Sequence, residues 1–203
     1  MTRRTGVKMW AVPAVLLLAL SACTGNTSEE PSPTTTHSQS QEPIQGETVE
    51  IDRQLRMQVP DGWTALTDNI PGLDIYILMV VPADTDLAEL EPGTDRPDFA
   101  YLTVANLGPT RNGAESYSAA VMESDAENTS SYSDIVALDP VEVDDTTFYG
   151  YEGTLIQNGT EAPFQYWHAD ANDATYKVAI HADADGEFPQ DLSDAFKSID
   201  FRR

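Results

Sequence analysis

Residues 148–181 read FYGYEGTLIQNGTEAPFQYWHADANDATYKVAIH, and this stretch decides the fold. Asn158-Gly159 separates two runs rich in aromatic and β-branched residues, and both turn residues tolerate the positive φ of a two-residue hairpin. In residues 175–181 apolar side chains alternate with other ones, as in a strand with one buried face. The three strands predicted from this stretch are Phe148–Gln157, Thr160–Ala169 and Thr175–His181.

Apolar patterning on both sides of this stretch predicts further strands and two helices. The further strands are predicted at Val49–Val59, Asp74–Val81, Phe99–Leu107, Asp134–Leu138 and Val141–Val143. One helix is predicted to start at Asn112, with Glu115 completing a capping box. A second is predicted to begin at Pro189, followed at helical spacing by Leu192, Ala195, Phe196 and Ile199.

The sequence predicts two series of strands, each followed by one helix, and this order is typical of an α+β domain. We expect a mostly antiparallel sheet of about six strands with helices packed on it, an arrangement known as an α/β/α sandwich.

The N-terminus has the three parts of a secretory signal. Three cations precede residue 9, an apolar run extends from Trp10 to Leu20, and two small residues come directly before Cys23. The apolar run is shorter than the roughly 20 residues that span a membrane. Leu20-Ser21-Ala22-Cys23 resembles the bacterial lipobox, in which the signal is cut before a Cys whose thiol carries a diacylglyceryl group. An ordinary cleavage site before Cys23, or an uncleaved anchor, is the alternative.

Composition divides the chain into three parts. Residues 1–22 are the predicted lipoprotein signal peptide, and residues 23–47 are the lipidated Cys followed by a Ser/Thr/Pro-rich tether. The tether has too few apolar residues to offset the entropy cost of ordering it. Residues 48–203 are predicted to form one globular domain. With lipid on Cys23, we expect the mature protein on the extracytoplasmic face of the cell membrane.

The charge balance excludes whole classes of partner. The chain carries 34 Asp and Glu against 11 Lys and Arg, a formal charge of −23 at pH 7. Such a surface repels phosphate backbones, so we expect no nucleic-acid partner. Anionic lipid is repelled in the same way, so membrane attachment must be covalent or hydrophobic. Because the chain has a single Cys, it cannot form an internal disulfide or a multi-cysteine zinc site.

Motifs that would mark an enzyme are missing from the sequence. The Gly-x-Ser-x-Gly elbow, the Walker loop, Gly-x-Gly-x-x-Gly and His-Glu-x-x-His are all absent. We therefore predict no catalytic residue, no metal and no cofactor. His168 and His181 lie on neighbouring predicted strands near Asp170 and Asp183, which leaves open a His/Asp cluster. The alternative is two strand histidines that face solvent or contact nearby carboxylates.

An acidic loop and four aromatic side chains are the remaining candidates. Residues 183–187 read DADGE, but alignment to a calcium loop would put His181 and Leu192 at its first and twelfth positions, where neither is a suitable ligand. A solvated loop is the simpler interpretation, and a weak, irregular cation site stays open. Aromatic side chains on the hairpin can stack on sugars or line an apolar groove, or they can pack in the core. These candidates are Tyr149, Tyr151, Tyr166 and Trp167.

The order of these features resembles the LpqN/LpqT family of actinobacterial lipoproteins. The resemblance rests on the lipobox at Leu20–Cys23, the tether, a strand ending in Val59-Pro60-Asp61-Gly62-Trp63, and the closing amphipathic helix. The family is similar in fold to the PsbP/Mog group, an antiparallel sheet between helices. The resemblance implies a non-enzymatic binding or accessory role in the cell envelope. Only Cys23 carries over from the family, as the lipidated residue.

The expected partners are therefore the membrane, through diacylglyceryl-Cys23, and an envelope protein or glycolipid. Two other functions stay open. One is an envelope hydrolase or transferase whose site is assembled only in the fold, and which would need a deep pocket with a perturbed acid or base. The other is a carrier that holds a small lipid or glycolipid in an apolar cavity.

Overall fold

The computed structural model describes residues 46–51, 53–70, 75–85, 97–183 and 185–202. The predicted signal peptide and lipobox, and nearly all of the predicted tether, lie outside the described residues. In chain order the elements are β1 (Gly46–Ile51), β2 (Leu55–Pro60), β3 (Trp63–Ile70), β4 (Ile75–Pro82), β5 (Tyr101–Pro109), α1 (Ala114–Glu127), β6 (Tyr132–Val143), β7 (Thr146–Gln157), β8 (Thr160–Ala171), β9 (Ala174–His181), α2 (Gln190–Lys197) and β10 (Asp200–Phe201).

Seven strands form the main sheet, in the order β3-β4-β5-β9-β8-β7-β6. All of its pairings are antiparallel. The predicted hairpin is confirmed as β7 and β8, which join at Asn158 and Gly159 with φ of 51° and 82°. With two helices packed on strands, the predicted α+β class is confirmed, and the main sheet has one strand more than the six expected.

The side chains of β9 separate the two faces of the sheet as the alternation predicts. Tyr176, Val178 and Ile180 are buried in the main core, which also contains Leu192 and Phe196 of α2. The opposite face carries Lys177 and is covered by α1 where the sheet consists of β6, β7 and β8. The two helices therefore lie on opposite faces.

A second sheet of three strands, β1-β2-β10, completes the α2 side. The prediction of one strand over Val49–Val59 is wrong, because the chain reverses after Ile51. Arg53 takes a φ of 58° there, and the Gln54 N–H donates to the Ile51 carbonyl at 3.0 Å. The reversal contains no Gly or Pro, so the sequence carries no clear turn signal at this point.

β6 is one continuous strand, so the predicted break at Asp139-Pro140 is wrong. The register with β7 shifts between Leu138 and Val141 instead. β6 is an edge strand of the main sheet. An edge strand tolerates Pro because an N–H on its open side has no ladder partner to lose.

The indole of Trp167 packs against α2 and against β7. Its ring stacks on Phe196 with the centroids 5.5 Å apart. Gly150 lies opposite Trp167 in the β7–β8 register, and a Cβ atom at residue 150 would lie 2.4 Å from Cε3 of the indole. Close approach of the ring, and not backbone conformation, therefore requires glycine at this position.

We expect Gly150→Ala to lower the free energy of unfolding by about 2 kcal/mol, because the new methyl overpacks the core against Trp167. Urea denaturation measures the loss. In the background Trp167→Leu the same methyl meets a smaller side chain, so the double variant should lose less than the sum of the two single variants. Strictly additive losses would contradict the steric explanation.

Candidate functional site

Leu20, Ser21, Ala22 and Cys23, the predicted lipidation residues, lie outside the described residues. The candidate sites among the described residues therefore all lie in the folded domain. None of the helices there is long and apolar enough to cross a membrane.

The four aromatic candidates are divided between the two faces of the sheet. Tyr151 pairs with Tyr166 across β7 and β8, and both side chains lie on the α1 face with Tyr149. Tyr151 is 0% exposed and Tyr166 is 6% exposed, whereas Tyr149 is half-buried. Trp167 is the next residue along β8 and lies on the α2 face.

Under α1 the aromatic residues form a second, smaller core. Tyr151, Phe164 and Tyr166 pack there with Val121 and Met122 of the helix. The Tyr151 hydroxyl donates a hydrogen bond of 2.6 Å to Oδ2 of Asp125. Burial raises the pKa of Tyr151 far above its usual value, and Asp125 raises it further. Burial is also the main cause that raises the pKa of Tyr166, so both phenols stay protonated.

Lys177 and His168 lie opposite each other in the register of β8 and β9, at the margin of this core. The Lys177 Nζ atom lies 3.4 Å from the centre of the Tyr166 ring, which is a cation–π contact. Burial lowers the pKa of Lys177 to about 8. His168 is 1% exposed, and among the described residues neither of its ring nitrogens has a hydrogen-bond partner. Burial first, and then the Lys177 charge, lower the pKa of His168 to about 4, so its imidazole is neutral at pH 7.

The structure gives structural roles to both carboxylates of the possible His/Asp cluster. Asp183 Oδ1 accepts the backbone N–H groups of Asp185 and Glu187, each at 3.0 Å. Asp170 accepts the Ala114 N–H at the start of α1. His181 stacks on Tyr101, with the ring centroids 4.4 Å apart. Within the described ranges no three His, Cys, Asp or Glu side chains group around a common point that could hold a metal.

The predicted capping box at the start of α1 is wrong. The N-cap residue is Gly113, with a φ of 83°, and glycine has no side chain that could accept a hydrogen bond from the helix. Asp170 of β8 supplies the missing acceptor, because its Oδ2 receives the Ala114 N–H at 2.6 Å. Its Oδ1 accepts the hydroxyls of Thr175 at 2.7 Å and Thr110 at 3.2 Å. The negative charge of Asp170 at the N-terminus of α1 also complements the helix dipole.

We expect Asp170→Ala to lower the free energy of unfolding by about 2 kcal/mol, because it removes a helix cap and two further hydrogen bonds to a carboxylate. Chemical denaturation followed by circular dichroism measures the change. Asp185→Ala is the matched control, since that side chain is exposed and the substitution keeps the backbone N–H that donates to Asp183. Equal losses in the two variants would contradict this role for Asp170.

The α2 face contains a cavity of about 490 Å³. We call it the α2 cavity. Its apolar wall comes from Trp167, Ile180 and Phe196. The polar and remaining lining residues are Val141, Glu142, Val143, Asp144, Gln165, Gln190, Ser193 and Lys197.

Of the residues that line this cavity, Trp167 alone was predicted from the sequence as a site residue. The signal available was a second stripe on α2, because Gln190, Ser193 and Lys197 recur at helical spacing beside the buried stripe. The α2 cavity is on the opposite side of the sheet from His168. The buried imidazole therefore cannot act as an acid or base within it.

No family model and no curated protein matches the sequence. Solved structures match at low identity. The Ran-binding protein Mog1p of Saccharomyces cerevisiae is 12% identical with a TM-score of 0.49, over 78% of this chain and 96% of that chain. Cyanobacterial PsbP (CyanoP) from Synechocystis sp. PCC 6803 is 9% identical with a TM-score of 0.48, over 83% and 99% of the two chains.

A third match is LpqN of Mycobacterium tuberculosis, a protein involved in cell envelope biogenesis. It is 12% identical with a TM-score of 0.39, over 79% of this chain and 92% of that chain. This chain spans 50% of the length of a further match, a protein of Bacteroides thetaiotaomicron with 12% identity and a TM-score of 0.48. Because these identities and TM-scores are low, the fold assignment rests on the observed strand order. The functional proposal rests on the residues of this chain.

Proposed function

We propose that the chain is a lipid-anchored lipoprotein on the extracytoplasmic face of the cell membrane, where its domain acts as a non-enzymatic binding or accessory module of the envelope. The observation that carries the proposal is the N-terminal sequence, in which cations, a short apolar run and Leu20-Ser21-Ala22-Cys23 follow in lipobox order. Acyl chains on Cys23, palmitate among them, would hold the protein because each buried methylene contributes about 0.8 kcal/mol.

The packing under α1 supports a binding role over a catalytic one. Asp125 accepts the Tyr151 hydroxyl, and Asp170 caps α1, so both carboxylates already serve the fold. His168 is buried and neutral, with Tyr117 of α1 against its ring at 5.1 Å. A general acid or base must reach the proton it transfers, and this imidazole is sealed from solvent.

The charge distribution supports a partner with a basic surface. Residues 112–176, which include α1, β6, β7, β8 and the start of β9, contain no Lys or Arg. Carboxylates are exposed along this stretch, at Glu115, Glu123, Asp134 and Asp139 among others. Such a surface steers a basic partner by electrostatic complementarity. An envelope protein with a Lys- or Arg-rich segment fits this surface.

The proposal is tested on Cys23. In the native host we expect mass spectrometry of the mature protein to find a diacylglyceryl thioether on Cys23, and Cys23→Ala to release the protein from the membrane fraction. Thr24→Ala is the matched control and should stay membrane-bound. An unmodified Cys23 thiol in the mature wild-type protein would overturn the lipoprotein assignment. Crosslinking in intact envelopes, compared between wild type and Cys23→Ala, then identifies the partner.

The α2 cavity favours a second candidate function, the binding of a small ligand. Its volume of about 490 Å³ falls within the range of small-molecule sites. This role is compatible with lipid anchoring, because the anchor and the cavity use different parts of the chain.

A further inference from the structure

β1 lies at an open edge of the three-stranded sheet. The strand order is β1-β2-β10, and among the described residues β1 pairs with β2 alone. The two strands pair over six residues each without a register shift, from Gly46 opposite Pro60 to Ile51 opposite Leu55. The outer side of β1 is therefore a regular row of main-chain groups to which a further strand can be added.

The hydrogen bonds of β2 show which groups of β1 face outward. The Gln58 N–H donates to Oγ of Ser198 at 2.8 Å, and Ser198 lies just before β10, on the side of β2 away from β1. Thr48 is opposite Gln58 in the register. Because opposite residues of antiparallel strands alternate between bonded and non-bonded pairs, the N–H and C=O groups of Thr48 and Glu50 point away from β2. Both residues are exposed, so they present two donors and two acceptors to a partner strand.

The usual devices that protect an open edge are missing from β1. Natural proteins block such edges with Lys side chains, with Pro or with β-bulges. β6, at the edge of the seven-stranded sheet, contains Pro140 and two register shifts. Residues 46–51 contain neither Lys nor Pro, and their pairing with β2 has no shift. Of these two edges, β1 is therefore the better acceptor of a further strand.

A row of alternating charges crosses the exposed face of the three-stranded sheet. Glu50 is opposite Arg56, and Arg56 is opposite Asp200, with which it forms an ion pair. Glu50 also pairs with Arg202, but 41% of the Glu50 side chain stays exposed. A cation opposite Glu50 on the open side of β1 would continue the row, whereas a carboxylate there would be repelled. The formal charge of −23 favours a basic occupant over a second copy of the chain.

We propose that the open edge of β1 binds an extended basic segment of a partner protein, which pairs with the main chain of Thr48 and Glu50 as a fourth strand. A Lys or Arg side chain of the segment lies opposite Glu50 on the exposed face. The next residue of the segment lies on the other face beside Val49, which packs against the main core, so an apolar side chain fits there. This inference rests on the proposed binding function, and it names the contact surface and the sequence pattern of the partner.

The test uses the full-length chain and two synthetic peptides, acetyl-KVKVK-amide and acetyl-EVEVE-amide. Hydrogen exchange followed by NMR measures the protection of the Thr48 and Glu50 amides. We expect acetyl-KVKVK-amide to slow exchange of both amides saturably, and acetyl-EVEVE-amide to bind about tenfold more weakly or not at all. Absence of protection at these amides, or equal binding of the two peptides, would overturn the proposal. Protection that appears without peptide and rises with protein concentration would identify a second copy as the occupant and overturn it as well.

Two substitutions of Thr48 separate main-chain pairing from general attraction between charges. Thr48→Pro removes an N–H that does not bond β2, so the domain should keep its circular dichroism spectrum while binding of acetyl-KVKVK-amide falls about tenfold or more. Thr48→Val is the matched control, because it keeps the N–H and should bind the peptide as the wild type does. Equal binding by the two variants would overturn the assigned edge.

A modified peptide repeats this test on the wild-type protein. Acetyl-KVKVK-amide methylated on every backbone nitrogen keeps its charge but cannot donate main-chain hydrogen bonds, so it should also bind about tenfold more weakly or less. Undiminished binding of the methylated peptide would show attraction between charges alone and overturn the proposal. Membrane retention through Cys23 is measured separately, so a failed titration leaves the lipoprotein proposal intact, and a free Cys23 thiol leaves the titration interpretable.

Discussion

Replacing Phe148 by Ala should lower the free energy of unfolding by about 3–5 kcal/mol. Phe148 is 0% exposed, and its ring contacts Phe196 of α2 at 5.0 Å and Phe201 of β10 at 6.1 Å between centroids. The side chain therefore joins the main sheet, α2 and the three-stranded sheet at one point. Deleting it removes buried apolar area and leaves a cavity between three elements that cannot all close around it.

Chemical denaturation at pH 7 measures this loss. The matched control is Val136→Ala on β6, because Val136 is 57% exposed and an exposed side chain should change stability by less than about 0.5 kcal/mol. Similar values for the two variants would show that the three elements are not joined through Phe148.

Lowering the pH from 7 to 4 should remove about 3 kcal/mol of stability through His168 alone. The pKa of His168 is lowered to about 4 in the folded chain, against an ordinary value of 6.5. Between these values the unfolded chain binds a proton that the folded chain does not bind, so the free energy of unfolding falls as the pH falls. The shift of about 2.5 pKa units corresponds to about 3 kcal/mol, complete near pH 4.

The His168 contribution is isolated by difference, because many carboxylates titrate in the same range. The free energy of unfolding of His168→Leu should fall less steeply between pH 6.5 and pH 4 than that of the wild type, whatever its value at pH 7. His37→Leu is the control and should keep the wild-type slope. A His168→Leu variant with the wild-type slope would mean that the imidazole is protonated in the folded protein.

Local patterns in the sequence predicted the β7–β8 hairpin, β9 and the closing helix, but they gave no strand over Trp63–Ile70, which is β3. Asn158-Gly159 has a backbone preference that specifies its hairpin without help from the rest of the chain. The alternation in β9 and the stripe of Leu192, Ala195 and Phe196 on α2 report burial directly, because each face of a strand or helix has its own environment.

The features that local patterns could not predict depend on residues far apart in the chain. Asp170 caps α1 from β8, and no residue next to the helix in the sequence indicates that role. β10 is only two residues long and exists because it pairs with β2, so it has no periodicity to detect. Pro140 appeared to end a strand, although an edge position tolerates it.

The candidate site shows the same division. Trp167 was predicted as a ligand-facing aromatic from its place in the hairpin, and Gln190 and Ser193 were not predicted. The cavity that they share forms only where α2 packs beside β8, so no single segment of the sequence marks it. Strand alternation places Tyr166 and Trp167 on opposite faces of the sheet, but the sequence could not tell which face α1 covers.

The three-stranded sheet also determines how the domain would respond to tension on an anchored N-terminus. Gly46 pairs with Pro60 at the open end of the β1–β2 hairpin, and most of β1 is exposed. A pull on the proposed membrane attachment would open these pairs one at a time, from Gly46 toward Ile51, with the Glu50–Arg202 ion pair near the end of the path. Unzipping requires far less force than shearing a whole ladder. Mechanical load would therefore lengthen the predicted tether by detaching β1 from β2, while the seven-stranded sheet and the α2 cavity stay folded.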